Sequence, residues 1–441
     1  MLDRWLFKRI DNSALIVFRV IFGLLIFLES GGAILTGWVK RTLIEPEFTF
    51  NFIGFEFLQP LPGNWMHVYF GVMACCGILV MLGYRYRWSL SVFTLLWSGV
   101  YLMQKASYNN HYYLLMLLCV LMLLLPAHRY ASLDVKREPS LKRNWMYRWN
   151  SWLIILQVWI VYTYASVAKW YPDWIDLTVP SRLMQARSHY YLVGDLLQEP
   201  WMHVSIAVFG ILFDLLVVPL LLWKRTRIFA FIASVFFHIF NSVIFHIGIF
   251  PYLSLGFTLF FFEPETIRKI FLPKKEPYTG GEVVVPSYRP WLLGIGAVYF
   301  AVQLALPLRH WFIPGDVLWT EEGHRLSWRM MLRTKSGYIR FKVVDKATGE
   351  TYMVHPGNRL SDKQQGIIAT KPDVIWQFAQ RLKKEYAARG KEVAVYVDRS
   401  GVSVNGRKAQ RLIDPEADLA DERWYIWKHQ PWILPFKKEQ D

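Results

Sequence analysis

Apolar runs of membrane-spanning length recur along most of this chain, and they restrict its fold more than any other feature. A helix needs roughly 17 to 25 apolar residues to cross a bilayer. The composition agrees, since 54% of the residues are hydrophobic and only 19% are charged. We therefore predict a polytopic α-helical membrane protein with about nine transmembrane helices. The candidate spans are 13–36, 64–83, 88–104, 111–126, 152–169, 202–223, 228–246, 250–263 and 291–308.

Lysine and arginine are distributed unevenly between the loops that join these predicted spans. Alternate loops carry about 19 basic residues on one side and five on the other, and the basic side of a membrane protein faces the cytoplasm. The N-terminus is therefore predicted to be cytoplasmic, whereas Lys169 and the residues after 308 face outward. The net charge of +16 thus reflects membrane topology. We expect no nucleic-acid partner, because the cations are not gathered on one face.

The last part of the chain has the pattern of a soluble domain. Alternating residues at 338–344 and 350–354 predict a hairpin. A helical period at 373–389 and a strand pattern at 392–397 follow. We therefore divide the chain into a transmembrane domain that carries the candidate site, residues 1–309, and an extracytoplasmic mixed α/β domain, residues 310–441.

The three cysteines limit the cellular environment. Cys75, Cys76 and Cys119 all lie inside predicted spans, so the outer domain has no thiol for a disulfide. That domain also contains no Asn-x-Ser/Thr acceptor for a glycan. Both features fit an integral protein of the bacterial inner membrane. The sequence leaves the oligomeric state open.

Lys169 ends the apolar run 152–169 and is followed at once by an aromatic cluster that includes Trp170, Tyr171 and Trp174. Lysines at helix ends often extend to the lipid headgroups and have no chemical role. A lysine held against aromatic rings at a membrane boundary is costly to keep charged, however, and a neutral amine can act as a base. We therefore take Lys169 as a candidate catalytic base.

Other polar side chains inside the spans are further candidates, because the bilayer interior tolerates them poorly. Those at the end of a span or on one helix face are Asn110 and His111 in the fourth span, Tyr162 and Ser166 in the fifth, and His238, Asn241, Ser242 and His246 in the seventh. Asp214 lies alone in the sixth. Asn241 and Ser242 have an alternative role as hydrogen-bonding groups between helices. We expect no metal, since no two histidines are four residues apart and no Cys or Glu completes a ligand set.

Six separated motifs carry a resemblance to a known family. They are Tyr-Asn-Asn-His-Tyr-Tyr (108–113), Val-Ala-Lys-Trp-Tyr-Pro-Asp-Trp (167–174), Phe-Phe-His-Ile-Phe-Asn-Ser (236–242), Ile-Gly-Ile-Phe-Pro-Tyr (247–252), Ser-Trp-Arg-Met-Met (327–331) and Ile-Asp-Pro (413–415). Their order is that of the vitamin K-dependent gamma-carboxylase family. Over residues 10–435 the chain resembles a short bacterial member, whose membrane part is called the HTTM domain.

The resemblance implies a membrane enzyme of the carbon-carbon lyase class that uses reduced vitamin K, of menaquinol or phylloquinol type, with O2 and CO2 as co-substrates. Oxygenation of the hydroquinone makes a strong base that removes the γ-hydrogen of a glutamate residue and leaves as the epoxide, and the carbanion takes up CO2. Lys169 corresponds to the lysine that deprotonates the hydroquinone, and His111 to a histidine of the carboxylation step. The implied partners are a glutamate-containing peptide or protein, the quinone and membrane lipid.

Binding roles follow in the same way. The expected cofactor-binding residues are Asn110, Tyr162, Ser166, His238 and Asn241, of which Asn110 can hydrogen-bond a quinone oxygen. The expected substrate-binding residues are Arg187, Trp328, Arg329, Met330 and Met331, of which Arg187 can hold a carboxylate through its planar fork.

The sequence also departs from the animal enzymes. Leu332 and Arg333 follow the Ser-Trp-Arg-Met-Met motif, where the animal enzymes have a histidine at the second place, and the animal disulfide cysteines are missing. Two alternatives therefore remain open. One is a menaquinol oxygenase or epoxidase that does not carboxylate protein, and the other is a non-enzymatic quinone-binding or lipid-binding membrane protein. Transport is disfavoured, because the spans lack midplane breaks and internal repeats.

Overall fold

Long apolar helices form the larger part of the molecule. The computed structural model describes residues 1–437. In chain order the main helices are α1 (Ser13–Leu35), α2 (Trp65–Leu82), α3 (Tyr86–Met103), α4 (Asn110–Leu124), α5 (Arg148–Val167), α6 (Pro200–Leu222), α7 (Arg227–Phe245), α8 (Phe250–Phe257) and α9 (Arg289–Leu308). Short helices in the connections are Leu2–Leu6, Leu133–Arg137, Pro172–Ile175, Thr178–Gln185, Gly194–Gln198, Pro264–Phe271 and Val317–Thr320.

These helices do not all meet the requirements of a transmembrane span. Within residues 1–437, six are long and apolar enough to cross a membrane, namely α1, α2, α5, α6, α7 and α9 with its extension to Phe312. Helix α4 has only 15 residues and α8 only eight, whereas α3 is long enough but less apolar. The prediction of a polytopic membrane protein is confirmed, but the count of nine spans is not.

Helices α1 and α2 pack at backbone contact distance. A Cβ atom added at Gly23 would lie 2.3 Å from the Met81 backbone nitrogen, and one added at Gly77 would lie 2.6 Å from the Phe27 backbone nitrogen. Small residues allow helices in membranes to approach this closely. The two glycines thereby fix the position of α1, which carries Glu29 near its far end.

The predicted basic loops meet at one end of the helical domain. Strands β1 (Arg9–Asp11) and β2 (Trp145–Tyr147) pair antiparallel there. Lys275 Nζ lies 2.5 Å from Asp11 Oδ2 and donates to the Asn144 carbonyl oxygen at 3.3 Å. Loops from three parts of the chain therefore share this end, as their alternation requires. Which side of the membrane it faces stays a prediction.

The residues after α9 form a smaller domain at the opposite end. Its elements are β3 (Lys335–Asp345), β4 (Thr351–Val354), α10 (Asp362–Ile368), α11 (Pro372–Ala387) and β5 (Val393–Val404). The sheet has the order β4-β3-β5, with neighbouring strands antiparallel. The predicted hairpin and helix are present, and β5 extends well beyond the predicted strand 392–397. It ends at a turn in which Asn405 and Gly406 both have positive φ, as expected for this residue pair.

Buried charges join this C-terminal domain to the helical domain. Lys105 Nζ lies 2.6 Å from Asp373 Oδ2 of α11. Arg407 holds Asp173 through two contacts of 2.5 Å. Phe48, from the loop between α1 and α2, lies in the core of the C-terminal domain. The domain therefore covers the end of the helical domain at which Lys169 lies.

Candidate active site

Lys169 lies in the turn after α5 and forms a buried ion pair with α6. Its Nζ atom is 2.5 Å from Asp214 Oδ2 and 3.0 Å from the Ala165 carbonyl oxygen, and it lies 5.5 Å from the Trp174 ring centroid. Asp214 is therefore not isolated, as its sequence context suggested, but is the partner of Lys169. A proton can pass directly between Nζ and Oδ2. The sequence does contain a signal for this pair, because one acid and one lysine occur in two predicted apolar spans that follow each other along the chain.

The predicted cofactor-binding residues of α5 and α7 have different surroundings. The Tyr162 hydroxyl is 2.8 Å from His238 Nε2, and His238 Nδ1 is buried without a partner among the residues that the structure describes. The Ser166 hydroxyl donates to the Ile211 carbonyl at 3.0 Å, which is a contact between helices. Asn241 is half-buried on the next turn of α7. His246, expected on the same helix face, instead follows the end of α7 with φ of 50°.

His111 lines an apolar cavity of about 590 Å³. Its ring stacks on Phe250 of α8 with 4.0 Å between centroids, and the His238 ring is 6.3 Å from the same Phe250 ring. The two histidines thus pack against one aromatic side chain. Most of the lining is aromatic or aliphatic, and Glu29 is the one carboxylate among the described lining residues. Sequence analysis missed Glu29, although an acid inside the first span was a visible signal.

The segments 108–113 and 326–331 contact each other directly. Asn110 Nδ2 donates to the Arg329 carbonyl at 3.0 Å, and the Tyr108 hydroxyl donates to Asn110 Oδ1 at 2.8 Å. The Tyr113 ring stacks on Trp328 with 4.9 Å between centroids. We call this contact between segments 108–113 and 326–331 the seam. The predicted cofactor residue Asn110 lies on one side of it, and the predicted substrate residues Trp328 and Arg329 lie on the other.

Segment 326–331 has an unusual backbone. Leu326, Trp328 and Met331 have φ of 60°, 55° and 55°, a region that costs a non-glycine residue of order 1 kcal/mol or more. The surroundings hold them there, since Leu326 N–H donates to the Tyr108 hydroxyl at 2.7 Å and Trp328 is buried. Strain of this kind is concentrated at ligand-binding segments. Met330 and Met331 are half-buried beside it.

A second, more polar cavity of about 890 Å³ lies between the end of α5 and the C-terminal domain. Its lining includes Ser327, Arg329, His310 and Arg407. Arg329 Nη1 donates to His310 Nε2 at 3.3 Å, and Arg329 Nε has no partner in the described part of the chain. Burial, with the neighbouring Arg333, lowers the pKa of Arg329 to about 10, so Arg329 is charged at neutral pH and suited to an anion.

Of the residues predicted to be catalytic or to bind cofactor or substrate, only His111 and Arg329 line these two cavities in the part of the chain that the structure describes. Arg187 Nε donates to the Ile244 carbonyl at 2.8 Å, so this guanidinium holds the end of α7. Neither Arg187 nor Lys169 lines either of these two cavities in the described structure. The structure thus brings together Asn110, Trp328 and Arg329, but not Arg187.

A dense charge cluster in the C-terminal domain was also missed by sequence analysis. Glu321 is buried and binds Arg333 at 2.5 Å, Lys371 at 2.7 Å and Lys335 at 3.2 Å. Arg333, where the animal enzymes have a histidine, is thus engaged by Glu321. Burial lowers the pKa of Lys371 to about 7 and that of Lys335 to about 8. Charges from such scattered positions carry no sequence signal of their contact.

Comparison with known families agrees with this architecture. The HTTM domain model matches residues 7–265, which is more than half of the chain. The model of the vitamin K-dependent gamma-carboxylase lumenal domain matches residues 288–439. No solved structure matches the chain. Both halves of the molecule thus lead to one conclusion: the chain belongs to the vitamin K-dependent gamma-carboxylase family.

Proposed function

We propose that the protein is an integral membrane enzyme that couples the oxygenation of a reduced vitamin K to the γ-carboxylation of glutamate residues. The observation that carries this proposal is the seam between segments 108–113 and 326–331. On one side of it His111 lines a largely apolar cavity, and on the other side Arg329 lines a polar cavity. The reaction needs one site of each kind, because its two reactants differ in polarity.

The apolar cavity suits a quinone ring. Ligand sites of this size are lined by apolar and aromatic side chains with a few placed polar groups, and this cavity offers His111, Glu29 and Tyr112 among Trp97, Phe250 and similar residues. The buried His238 Nδ1, which lacks a partner in the described structure, is a further polar atom near this wall. When bound, a reduced vitamin K supplies, together with O2, the strong base that no side chain can provide for the weakly acidic γ-carbon.

We assign proton transfer to a chain of buried side chains. Lys169 Nζ exchanges a proton with Asp214 Oδ2 across 2.5 Å, and Tyr162 and His238 are joined at 2.8 Å. The Tyr162 and His238 rings both lie near Phe213, which precedes Asp214, with centroids 5.9 Å and 5.8 Å away. The His238 ring also shares Phe250 with His111, so we place the pair between Asp214 and His111. Lys169 therefore acts on the cavity through these side chains, and its catalytic role requires no direct contact with the ring.

We assign the glutamate side chain to the polar cavity. Arg329 offers a cationic guanidinium with an unpaired Nε among the described contacts, and Trp328 and Ser327 belong to the same strained segment. A planar guanidinium matches a carboxylate in charge and geometry. His111, near the seam, serves the carboxylation step.

One assay separates this proposal from its alternatives. The purified protein is incubated with reduced menaquinone, O2, a glutamate-containing peptide and labelled bicarbonate. Epoxide together with fixed label supports the carboxylase. Epoxide without label would establish a quinol oxygenase or epoxidase, and neither product would leave a non-enzymatic quinone-binding or lipid-binding protein.

A further inference from the structure

Glu29 is an acidic group inside a membrane helix, and the proposed mechanism gives it no defined chemical task. It lies in α1, six residues before the helix ends at Leu35, which is roughly 9 Å along the helix axis. An ionisable side chain within the hydrocarbon region is costly and is usually functional. Glu29 therefore requires an explanation.

The Glu29 carboxyl faces the cavity that contains His111. A Cβ atom added at Gly248 would lie 3.4 Å from Glu29 Oε2, so the carboxyl reaches the turn between α7 and α8. The Tyr112 side chain and the Ile249 backbone N–H adjoin it. Its neighbours are thus hydrogen-bonding groups, and the described residues form no ion pair with Glu29 of the kind that holds Asp214.

The rest of the cavity suits a flat aromatic ligand. Trp38, Phe70, Trp97 and Phe250 form apolar walls, and His111 and Glu29 supply polar atoms from two different helices. A carboxylate can only accept hydrogen bonds. A hydroxyl on the ring satisfies it, whereas a carbonyl in the same place leaves two acceptors facing each other, which is unfavourable in an apolar site.

We propose that Glu29 is a further catalytic residue of this site, whose carboxylate accepts the hydrogen bond of one hydroxyl of a dihydroxylated aromatic ring. This inference rests on the proposed function, in which that ring is the reduced quinone. Glu29 then has two tasks. It orients the ring in the cavity, and it makes the site select the reduced form over the oxidised form, because the oxidised form has no hydroxyl to donate.

Binding under argon tests this selectivity without turnover. Dissociation constants of a tritiated short-chain menaquinone, reduced and oxidised, are measured by equilibrium dialysis for the full-length protein in nanodiscs. We expect the wild type to prefer the reduced form by about tenfold or more, which corresponds to one charge-assisted hydrogen bond. Glu29→Gln should lower this preference to near one, because an amide can both donate and accept. Glu29→Asp, which keeps the acceptor, should retain part of the preference.

The matched control is Glu265→Gln, an exposed acid that pairs with Lys269 far from the cavity, and it should leave both constants unchanged. An unaltered preference in Glu29→Gln, or equal weakening of both forms, would overturn the assignment of Glu29 while leaving the proposed function intact. A wild type that binds neither form would overturn the proposed function itself and this inference with it.

Discussion

The helical domain contains two buried lysine–aspartate pairs of the same length, one at each end, and their surroundings differ. Lys275 and Asp11 lie 2.5 Å apart, as do Lys169 and Asp214. Asp11 also accepts hydrogen bonds from the backbone N–H groups of Ser13 and Tyr278. Asp214 accepts only from Lys169 among the described contacts. The Lys275–Asp11 pair is therefore held by backbone hydrogen bonds from the surrounding loops. The Lys169–Asp214 pair has no backbone donor to its carboxylate among the described contacts.

On this difference we base the proposal that the first pair is structural and the second is functional. A buried carboxylate that already accepts hydrogen bonds from two backbone N–H groups and a lysine has little capacity left for a further proton or ligand. A pair with open positions beside other buried polar groups, such as Tyr162 and His238, can exchange protons with them. Distance and burial alone do not distinguish the two cases. The hydrogen bonds around the carboxylate do.

The largest expected effect concerns the side of the membrane that each end of the helical domain faces. The positive-inside rule predicts that the Lys275 end is cytoplasmic and the Lys169 end is outside. In a variant without Cys75, Cys76 and Cys119, single cysteines at Ser140 and Lys408 should therefore differ completely in their accessibility to labelling. A membrane-impermeant maleimide added to intact cells should label Lys408→Cys and leave Ser140→Cys unlabelled until the cells are opened. The reverse pattern would place the candidate site on the cytoplasmic side.

Next in size is the loss of activity on removal of Lys169. We expect Lys169→Ala to lower the rate of quinol oxidation by at least about a hundredfold, since general acid–base groups contribute that much or more. Lys169 is buried, so an unpaired Asp214 should cost about 3–5 kcal/mol. Lys169→Ala combined with Asp214→Asn should therefore regain much of the stability and none of the activity. Epoxide formation and thermal unfolding are the measurements.

The matched control is the other pair. Lys275→Ala should also lower the free energy of unfolding by about 3–5 kcal/mol. The folded Lys275→Ala protein should keep its rate of quinol oxidation per molecule. If Lys275→Ala lost the reaction as completely as Lys169→Ala at a temperature where both are folded, the two pairs would not differ in function.

A smaller effect is expected for variants that impair the carboxylation step more than the formation of the epoxide. His111→Ala and Trp328→Ala should lower label fixation by about tenfold to a hundredfold more than epoxide formation, because these residues lie at the seam and not at the Lys169 pair. The ratio of the two products is measured on one sample, so that differences in folded fraction cancel. Equal losses would mean that neither residue has a role specific to the carboxylation step.

The smallest effect concerns Lys371, a lysine of the C-terminal domain. Lys371 pairs with Glu321 at 2.7 Å, yet burial lowers its pKa to about 7. The unfolded chain, with a lysine pKa near about 10.4, then binds more protons than the folded chain between those values. The free energy of unfolding of the C-terminal domain should therefore rise from pH 7 towards pH 10, and Lys371 should contribute at most about 1.4 kcal/mol per pH unit of this rise. Lys335, whose pKa burial lowers to about 8, should contribute in the same direction.

Denaturant unfolding at pH 7, 8 and 9 checks this slope. Lys371→Met should reduce the slope by the contribution of Lys371, and Lys384→Met, at an exposed position of the same domain, should not. A slope that Lys371→Met leaves unchanged would mean that another group carries the pH dependence.

The sequence predicts the membrane class, the mixed C-terminal domain and the candidate residues, because apolar length, strand alternation and buried polarity are local properties. It does not predict their contacts. Asn110 and Arg329 are 219 residues apart and Lys169 and Asp214 are 45 apart, and both contacts depend on helix order and rotation. The same limit applies to Arg187, whose contact with the Ile244 carbonyl near the end of α7 has no signal in the sequence.

Under the proposed function, the seam between segments 108–113 and 326–331 separates the sites of the two reactants. The apolar cavity lies among helices, and the polar cavity lies under the C-terminal domain. Under the proposed function, a reductant dissolved in lipid and a peptide dissolved in water meet without either leaving its own phase. The acceptor glutamate must then be presented in an unfolded or extended segment at the membrane surface. A glutamate packed within a globular protein is out of reach, whatever the sequence around it.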